Sequence, residues 1–290
     1  MGRAAPRPLD GRVVAITGGA RGIGRATAQG CLRAGMQVAI GDLDIQTAER
    51  TVVELGGATI AVELNVCDRS SVKAFLDETE ARLGPLDVLV NNAGIMQLSA
   101  FLDESDATAQ RQVDVNVHGV LHGMKEAIPR MLAHGGGHLV NIASTAGKVG
   151  FAGAATYAGT KHFVVGVSEA VRGELRGSPI EISCVMPVIV KTELAAGLPD
   201  GRFIKQIEAD DVAAAVVEAL RKPRFEVFVP RYPVGPLTKF GAILPQRVRE
   251  AVGRLLQIDR SLAAPDQSVR LAYEQRAATS TAERVRELKP

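Results

Sequence analysis

The chain has 290 residues, of which 46% are hydrophobic and 23% are charged, with 30 glycines and 14 prolines. This ordinary globular composition excludes disordered, collagen-like and coiled-coil proteins, and the length suits one α/β domain with an appendage. Aromatic residues at 4% and the lack of Trp argue against a surface that stacks sugars or single-stranded nucleic acid. The net charge of +2 divides unevenly, because residues 221–290 hold 14 Lys and Arg against 7 Asp and Glu.

The ends and the cysteines of the chain indicate its compartment. The first residues lack the apolar stretch of a signal peptide, and no uncharged apolar run reaches the length of a membrane span. Cys31, Cys67 and Cys184 form an odd set without a CxxC pair, which indicates reduced core thiols. The expected location is therefore the cytoplasm, and residues 1–10 are expected to form a flexible arm.

From residue 11 onward, short β-rich runs alternate with longer stretches whose apolar residues recur at helical spacing. Such alternation predicts an α/β fold, with a Rossmann-type doubly wound parallel sheet over residues 11–230 and ligands at the carboxyl ends of the strands. Residues 231–290 are predicted to form a basic helical C-terminal extension. Seven strands are predicted, at residues 13–17, 37–41, 59–64, 86–91, 138–143, 180–185 and 225–229.

A glycine-rich turn follows the first predicted strand. Its glycines, Gly18, Gly22 and Gly24, have the spacing GxxxGxG rather than the GxGxxG of the common dinucleotide fingerprint. Glycines here permit a tight strand-to-helix turn whose backbone amides can face a pyrophosphate. The turn therefore predicts a dinucleotide site at the start of the first helix.

Two charged residues make opposing predictions about the cofactor. Asp42 ends the second strand, 18 residues after Gly24, where a carboxylate binds the adenosine ribose. A 2′-phosphate there would meet like charge, at a cost of up to about 4 kcal/mol. Arg21 could instead reach a 2′-phosphate, but an arginine can swing into solvent. NAD is therefore favoured, and NADP stays possible.

Ser144 ends the fifth predicted strand, and a YxxxK motif, Tyr157 to Lys161, follows it. Residues i and i+4 lie on one helix face, so the lysine ammonium lies beside the tyrosine phenol. A tyrosine titrates near pH 10 unless positive charge stabilises its phenolate. This arrangement predicts an acid–base tyrosine whose pKa is lowered by Lys161 and by an oxidised nicotinamide.

Together these motifs resemble the short-chain dehydrogenase/reductase family over about residues 11–230. The resemblance is carried by the glycine turn, the NNAG run from Asn91 to Gly94, Asn116, Ser144, the YxxxK motif, and Pro187 with Thr192. It implies that Tyr157 exchanges a proton with the substrate oxygen, that Ser144 hydrogen-bonds this oxygen, and that Lys161 also holds the nicotinamide ribose. It further implies that Asn116 holds a water linked to Lys161.

The resemblance also implies the cofactor contacts. Two departures from the family pattern accompany them: Asn65 stands where an aspartate usually binds adenine, and Val188 replaces the glycine after Pro187, which puts the local backbone near the nicotinamide in doubt. The cofactor-binding residues implied are Gly18, Arg21, Gly22, Ile23, Gly24, Asp42, Asn65, Val66, Asn92, Ala93, Gly94, Tyr157, Lys161, Pro187, Ile189 and Thr192.

No metal site and no nucleic-acid site is predicted. His118 and His122 are four residues apart, but no intervening Glu or third ligand accompanies them. The body of the chain is mildly acidic and has no basic stripe with interleaved aromatic residues.

The remaining segments concern the substrate and partners. Residues 193–207 form a predicted substrate loop with apolar contacts from Leu194, Leu198 and Phe203, which favours an apolar alcohol or carbonyl substrate. Residues 244–258 form a basic amphipathic pattern, which either packs on the protein or contacts an anionic membrane surface peripherally. Residues 268–290 are polar and predicted to be helical. Members of the resembling family pair through helices, here starting near Asp106 and Tyr157, so a homodimer or homotetramer is expected.

These features predict an NAD(P)-dependent oxidoreductase that interconverts an alcohol and a ketone or aldehyde by hydride transfer, with a Ser-Tyr-Lys-Asn catalytic set. Two alternatives stay open. One is an NADPH-linked ketoreductase that relies on Arg21. The other is a cofactor-binding regulatory protein without turnover, which would not require all four catalytic residues.

Overall fold

A computed structural model describes residues 5–198, 205–247 and 267–278. Seven parallel strands form one sheet in the order β3-β2-β1-β4-β5-β6-β7, so the predicted doubly wound α/β fold is confirmed. The strands are β1 Val13–Thr17, β2 Gln37–Asp42, β3 Thr59–Glu63, β4 Leu86–Asn91, β5 Gly137–Ile142, β6 Ile180–Pro187 and β7 Glu226–Val229.

Helices cover both faces of the sheet. Alternate strand residues point to opposite faces, so the apolar runs supply two core clusters rather than one. Helices α1, α2 and α7 pack on one cluster, and α3, α5 and α6 pack on the other. The helices are α1 Gly22–Arg33, α2 Ile45–Leu55, α3 Arg69–Leu83, α4 Asp106–Val113, α5 Gly119–Ala133, α6 Ala155–Glu174, α7 Ala209–Arg221, α8 Val234–Ile243 and α9 Gln267–Ala278.

The order of the strands reverses between β1 and β4. The chain runs outward from β1 through β2 to β3, then crosses back to β4 on the other side of β1. Loops on either side of this point therefore diverge, and they leave a crevice at the carboxyl ends of the strands. Thr17, Asn91 and Ser144 all lie at these ends, so the topology brings the predicted motifs to one edge of the sheet.

A π-helical turn, Asp114–His118, joins α4 to α5. The sequence predicts helix here but not the wider turn, because one extra residue in a turn barely changes the spacing of apolar residues over so short a stretch. Turns of this kind are frequent at functional sites, and this one carries Asn116.

The N-terminal residues are more closely attached than the predicted flexible arm. The backbone N–H of Arg7 donates to the carbonyl of Arg221 at 2.9 Å, and its guanidinium pairs with Glu181 at 2.7 Å. Leu9 is buried in the core under α1 and α7. The arm therefore packs on the body at residues 7–9, because an apolar side chain and an ion pair hold it there; residues 1–4 lie outside the described residues.

The C-terminal extension is helical where it is described. Helix α8 follows β7, and α9 packs against the short helical turn Glu193–Ala195. Most of the predicted amphipathic segment 244–258 lies outside the described residues; Leu244 itself follows α8 in an extended conformation. Among the described residues, no helix is long and apolar enough to cross a bilayer.

Candidate active site

The turn between β1 and α1 has no room for side chains at its glycines. Gly18 and Gly22 have φ of +63° and +51°, in the left-handed region that favours glycine. A Cβ on Gly24 would lie 2.2 Å from the carbonyl oxygen of Gly18 and 2.7 Å from Nδ2 of Asn92. No side chain caps the N-terminus of α1. Its first N–H groups are therefore available to an anionic group, which fits the pyrophosphate of a dinucleotide.

Thr17 ties the glycine turn to the NNAG run after β4. Its Oγ1 accepts hydrogen bonds from the backbone N–H groups of Asn92 and Ala93, both at 3.0 Å. Nδ2 of Asn92 donates to the carbonyls of Thr17 and Gly18 at 2.9 Å. The predicted cofactor residues on these two loops are therefore held as one surface. The sequence did not indicate this role of Thr17, because its hydrogen bonds join residues that are 75 and 76 positions apart in the chain.

Charged residues at the end of β2 form one hydrogen-bonded group. The Asp42 carboxylate accepts from the N–H groups of Ala20 at 3.0 Å and Asp44 at 3.1 Å, and burial raises the pKa of this carboxyl. Arg21 does not point freely outward, because its guanidinium pairs with Asp44 at 2.6 Å and donates to Thr47. Although burial acts to raise it, hydrogen bonds from Arg21 and Thr47 hold the pKa of Asp44 at about 2. Asp44 therefore pairs directly with the guanidinium of Arg21, while Asp42 acts on it through its charge alone.

Asn65 keeps an unused donor where adenine is expected. Its Oδ1 accepts from the N–H of Cys67 at 3.0 Å, whereas its Nδ2 is buried and has no hydrogen-bond partner in the described part of the chain. A buried donor without a partner is costly, and a ring nitrogen of adenine would satisfy it. Val66 packs against Gly119 at the start of α5, where a Cβ would lie 3.0 Å from it.

The four predicted catalytic residues come from three parts of the chain, because Ser144 follows β5, Asn116 lies in the π-helical turn, and the tyrosine and lysine share α6. Nζ of Lys161 donates to the carbonyl of Ile142 at 3.0 Å and lies 5.7 Å from the ring centroid of Tyr157. A Cβ on Gly94 would lie 3.2 Å from Oδ1 of Asn116 and 3.5 Å from Nζ of Lys161. The NNAG run therefore passes against the polar atoms of these side chains, which explains its glycine.

Burial acts on both members of the YxxxK motif. Burial raises the pKa of Tyr157 to about 12, although a hydrogen bond with Ser144 acts in the opposite direction and lowers it. It also lowers the pKa of Lys161 to about 8. Burial therefore disfavours the charged form of each group, and an added positive charge is needed before the phenolate can form near neutral pH.

Asn116 is fully buried and holds the loop after β4. Its Nδ2 donates to the carbonyl of Ile95 at 2.9 Å and to Oγ1 of Thr160 at 3.1 Å. Its Oδ1 accepts from the N–H of Ile95 at 2.9 Å. The π-helical turn thus lets one amide satisfy both backbone groups of the residue after Gly94. The water predicted at Asn116 stays a prediction.

The loop after β6 lies beside both Ser144 and the glycine turn. Oγ of Ser144 donates to the carbonyl of Pro187 at 3.5 Å, and the methyl carbon of Thr192 lies 3.2 Å from the position of a Cβ on Gly22. The Val188 side chain packs in the core cluster shared with α5 and α6, while its N–H donates to Val229 at 2.9 Å. The fold therefore accommodates Val188 in place of glycine, and β7 holds its backbone. Ile189 is partly buried near Tyr157, and Ile23 packs on the other core cluster.

Tyr157 belongs to a cluster of apolar side chains. Its cluster includes residues of the predicted substrate loop 193–207, although Phe203 lies outside the described residues. The buried neighbours are Met96, Leu98, Ala146, Ala154, Ala158, Ala195 and Leu198, with Phe151, Ile189 and Leu194 partly buried.

Helix α9 hydrogen-bonds to loops of this cluster, which the sequence did not predict, while Tyr273 and Ala277 pack in the core cluster under α3, α5 and α6. Tyr273 accepts a hydrogen bond from the N–H of Met96 at 2.7 Å, and Arg270 is completely buried against the same loop. A basic residue in a polar helix is ordinarily exposed. The usable signal was Tyr273 with Ala277, an aromatic and a small apolar residue at spacing i, i+4 in an otherwise polar tail.

Known proteins share this arrangement. A family model described as short chain dehydrogenase matches residues 12–202. Sorbitol dehydrogenase of Cereibacter sphaeroides is 36% identical over 196 residues, which is 67% of this chain and 76% of that protein. The glycine betaine reductase ATRR of Emericella nidulans is 33% identical over 228 residues, 74% of this chain but 18% of that much longer protein.

A solved structure is similar over most of the chain. It is a short-chain dehydrogenase/reductase from Burkholderia phymatum in complex with NAD, with a TM-score of 0.74 and 28% sequence identity, covering 80% of this chain and 93% of that one. The family match, the relatives and the shared fold agree with the site geometry. The chain therefore belongs to the short-chain dehydrogenase/reductase family and is an oxidoreductase of CH–OH groups with a nicotinamide dinucleotide cofactor.

Proposed function

We propose that this protein interconverts an apolar secondary alcohol and its ketone with NAD. The observation that carries the proposal is the position of Tyr157, which joins Ser144 and Lys161 on one side and an apolar cluster on the other. An apolar lining binds hydrocarbon, while a few polar groups fix the reacting oxygen. Aldehydes would react by the same chemistry.

Each of the four side chains has a defined role in the reaction. Bound NAD supplies the hydride acceptor and a positive charge. Tyr157 takes the proton of the substrate hydroxyl, and Ser144 donates a hydrogen bond to the same oxygen as charge develops on it. Lys161 stabilises the phenolate and holds the nicotinamide ribose. Asn116 fixes the backbone of Ile95 and holds a water that relays protons from Lys161.

The preference for NAD rests on the charges at the end of β2. Asp42 is held by two backbone N–H groups, and Arg21 is engaged by Asp44 and Thr47. A 2′-phosphate would face two carboxylates and an arginine whose charge is already compensated. Titration of nicotinamide fluorescence should give at least tenfold tighter binding of NADH than of NADPH. Tighter NADPH binding would instead favour the ketoreductase that relies on Arg21.

Replacement of Tyr157 distinguishes an enzyme from a regulatory cofactor-binding protein. Tyr157→Phe removes the hydroxyl that moves the proton but keeps the ring that packs in the cluster. The variant should bind NADH within about threefold of the wild type and lose at least 100-fold in turnover, as expected when a general acid–base group is removed. Cyclohexanol and 2-decanol, with NAD, are suitable first substrates. Equal slow turnover by both proteins would favour the regulatory alternative.

A homodimer or homotetramer is supported by the surface of α6. Gly159, Gly166 and Gly173 recur every seven residues, and each would have open space around a Cβ, while Phe163 on this helix is partly exposed. Such a smooth face lets a second helix approach closely. We expect sedimentation to give an oligomer, and Gly166→Arg to give the monomer. A wild-type monomer would exclude this arrangement.

A peripheral contact with an anionic membrane is supported by α8 and its surroundings. Tyr232, Leu237 and Phe240 are exposed, and residues 221–290 carry an excess of basic side chains. The proposed location is therefore the cytoplasm, with part of the protein at a membrane surface. Vesicles rich in phosphatidylserine should bind the wild type and bind a Leu237→Ser, Phe240→Ser double variant at least tenfold less. Equal binding of both proteins would remove α8 from the contact.

A further inference from the structure

Arg270 on α9 is the largest completely buried side chain among the described residues, with 0% of its surface exposed. An arginine carries five N–H donors, and each must find an acceptor when water is excluded. Here Nη1 donates to the carbonyls of Leu194 and Ala196 at 3.1 and 3.0 Å. Nη2 donates to the carbonyl of Met96 at 2.8 Å and lies 3.0 Å from Glu274, to which Nε also donates.

These acceptors lie on the two loops that line the substrate side of Tyr157. Met96 follows Gly94 after β4, while residues 194–196 follow β6, and both segments contribute to the apolar cluster around Tyr157. The backbone carbonyls of loops ordinarily bond to water. One guanidinium therefore takes the place of water at three carbonyls. It joins two loops that follow β4 and β6, which are not neighbouring strands in the sheet.

Tyr273, one turn further along α9, holds the same loop from its other side. Its Oη accepts from the N–H of Met96 at 2.7 Å, so that both backbone groups of this residue bond to α9. Nε2 of Gln97 donates to Glu274 at 3.1 Å. Burial is the main reason that the pKa of Tyr273 is raised, and the nearby phenol of Tyr157 raises it further.

We propose that α9 forms the third wall of the substrate pocket, and that Arg270 and Tyr273 are positioning residues that fix its two other walls. This inference rests on the proposed function, because it assigns the specificity of that site. The hydrogen bonds of Arg270 and Tyr273 go to residues 96, 194, 196 and 274, none of which is among the cofactor-binding residues named above. We therefore expect α9 to affect binding of the apolar substrate and not of NAD. The ligand class of this wall is an apolar group attached to the reacting carbon.

The test compares four proteins: the wild type, Arg270→Met, Tyr273→Phe and the control Arg276→Gln. Met fills much of the volume of Arg but donates nothing, so three buried carbonyls lose their partner. Arg276 lies on the same helix and pairs with Glu193 of the same loop, but this pair is on the surface. Circular dichroism and NADH titration check that each variant folds and binds cofactor.

Hydrogen exchange gives a readout that does not need turnover. In Arg270→Met, amides in residues 94–98 and 193–198 should exchange at least tenfold faster, while amides of β1 to β3 stay unchanged. Tyr273→Phe should accelerate mainly the Met96 amide, and Arg276→Gln should leave both loops unchanged. Unchanged exchange of both loops in Arg270→Met would overturn the proposal.

Kinetics with NAD give the second readout. For cyclohexanol, Arg270→Met should raise KM at least tenfold and change kcat less than threefold, because pocket walls bind ground state and transition state alike. The ratio of kcat/KM for 2-decanol to that for cyclohexanol should rise as the wall loosens. If Arg270→Met instead lowered kcat equally for both alcohols and left KM unchanged, a positioning role would be contradicted.

The two proposals can fail separately. If the wild type binds NADH but oxidises neither alcohol, the proposed substrate class is wrong, and hydrogen exchange still decides whether Arg270 fixes the loops. If the wild type oxidises an alcohol and Arg270→Met has wild-type KM and exchange, the function stands and the third wall is wrong.

Discussion

Tyr157 and Lys161 are a pair in which burial opposes the charge of each member. The phenol has its pKa raised to about 12 and the ammonium has its pKa lowered to about 8, so near neutral pH the tyrosine is protonated and the lysine keeps most of its charge. Oxidation of an alcohol needs the phenolate. The rate of oxidation should therefore rise with pH, and any positive charge nearby should move that rise to lower pH.

Lys161→Met removes the charge nearest the phenol while keeping an unbranched apolar chain. We expect the pH midpoint of kcat/KM for oxidation to move up by at least about one unit, and the rate at pH 8 to fall about 100-fold. The measurement is a pH profile of wild type and variant with saturating NAD. An unchanged midpoint together with a lower rate would mean that Lys161 acts only through the ribose.

At the residue scale, the sequence identified groups whose chemistry is local and missed those defined by tertiary contact. The YxxxK spacing by itself places Tyr157 and Lys161 on one helix face. Tyr273 and Ala277 indicate an apolar face on this helix, but the sequence does not indicate that Arg270 is buried with them, because its acceptors at Met96 and Leu194 lie 174 and 76 residues away. Asn116 was predicted by resemblance alone, and its bonds to Ile95 became visible only with the π-helical turn.

Among elements, the turn from β1 into α1 offers the sharpest test. Gly24→Ala would bring a Cβ within 2.2 Å of the carbonyl oxygen of Gly18, which also accepts a hydrogen bond from Asn92, so the turn must open. We expect at least tenfold weaker NADH binding and a loss of about 1–3 kcal/mol in the free energy of unfolding. Fluorescence titration and urea denaturation measure the two effects.

Gly30→Ala, later in α1, is the matched control. Its Cβ would meet the end of the Val217 side chain at 3.3 Å rather than backbone, and alanine is the better helix former by about 1 kcal/mol. NADH binding should stay within twofold of the wild type. If both variants weakened binding equally, a general loss of helix stability would explain the effect, and not the shape of the turn.

The elements of the Rossmann domain were predictable to within one or two residues at most strand ends, because apolar runs and glycine turns are local signals. Strand β6 continues to Pro187, beyond the predicted end at residue 185, since pairing with β7 holds it there. The wall made by α9 was not predictable in this way. Its buried face consists of Arg270, Tyr273 and Ala277, a pattern that reads as a polar surface helix.

For the whole molecule, stability should depend on pH through His138. This side chain is buried, and burial lowers its pKa to about 4. Ser183 donates its only hydroxyl proton to the carbonyl of Arg224, so Nε2 of His138 carries a proton and donates to Ser183 at 2.9 Å. A second proton would place an uncompensated charge in the core between β5 and β6.

The sign of the effect follows from proton binding. An unfolded histidine binds its proton near pH 6.5, whereas His138 in the folded chain does so only near pH 4. The contribution of neutral His138 to the free energy of unfolding should therefore be fully present above pH 6.5. The free energy of unfolding should fall by up to about 3 kcal/mol as the pH drops to 4. Urea denaturation at several pH values measures it. His138→Gln should flatten this slope, while His134→Gln, at an exposed position, should leave it unchanged.

The position of α9 has a consequence for the order in which the protein becomes functional during synthesis. Domains fold as the chain emerges, and the sheet is complete once β7 at residue 229 has left the ribosome. The turn that cradles the nucleotide belongs to that first part. The contacts that close the substrate pocket wait for residues 267–278, and they span 174 residues of chain. A nascent chain should thus form its nucleotide site before its substrate pocket. Deletion of the last fifty residues should yield a protein that still binds the nucleotide but binds the substrate weakly.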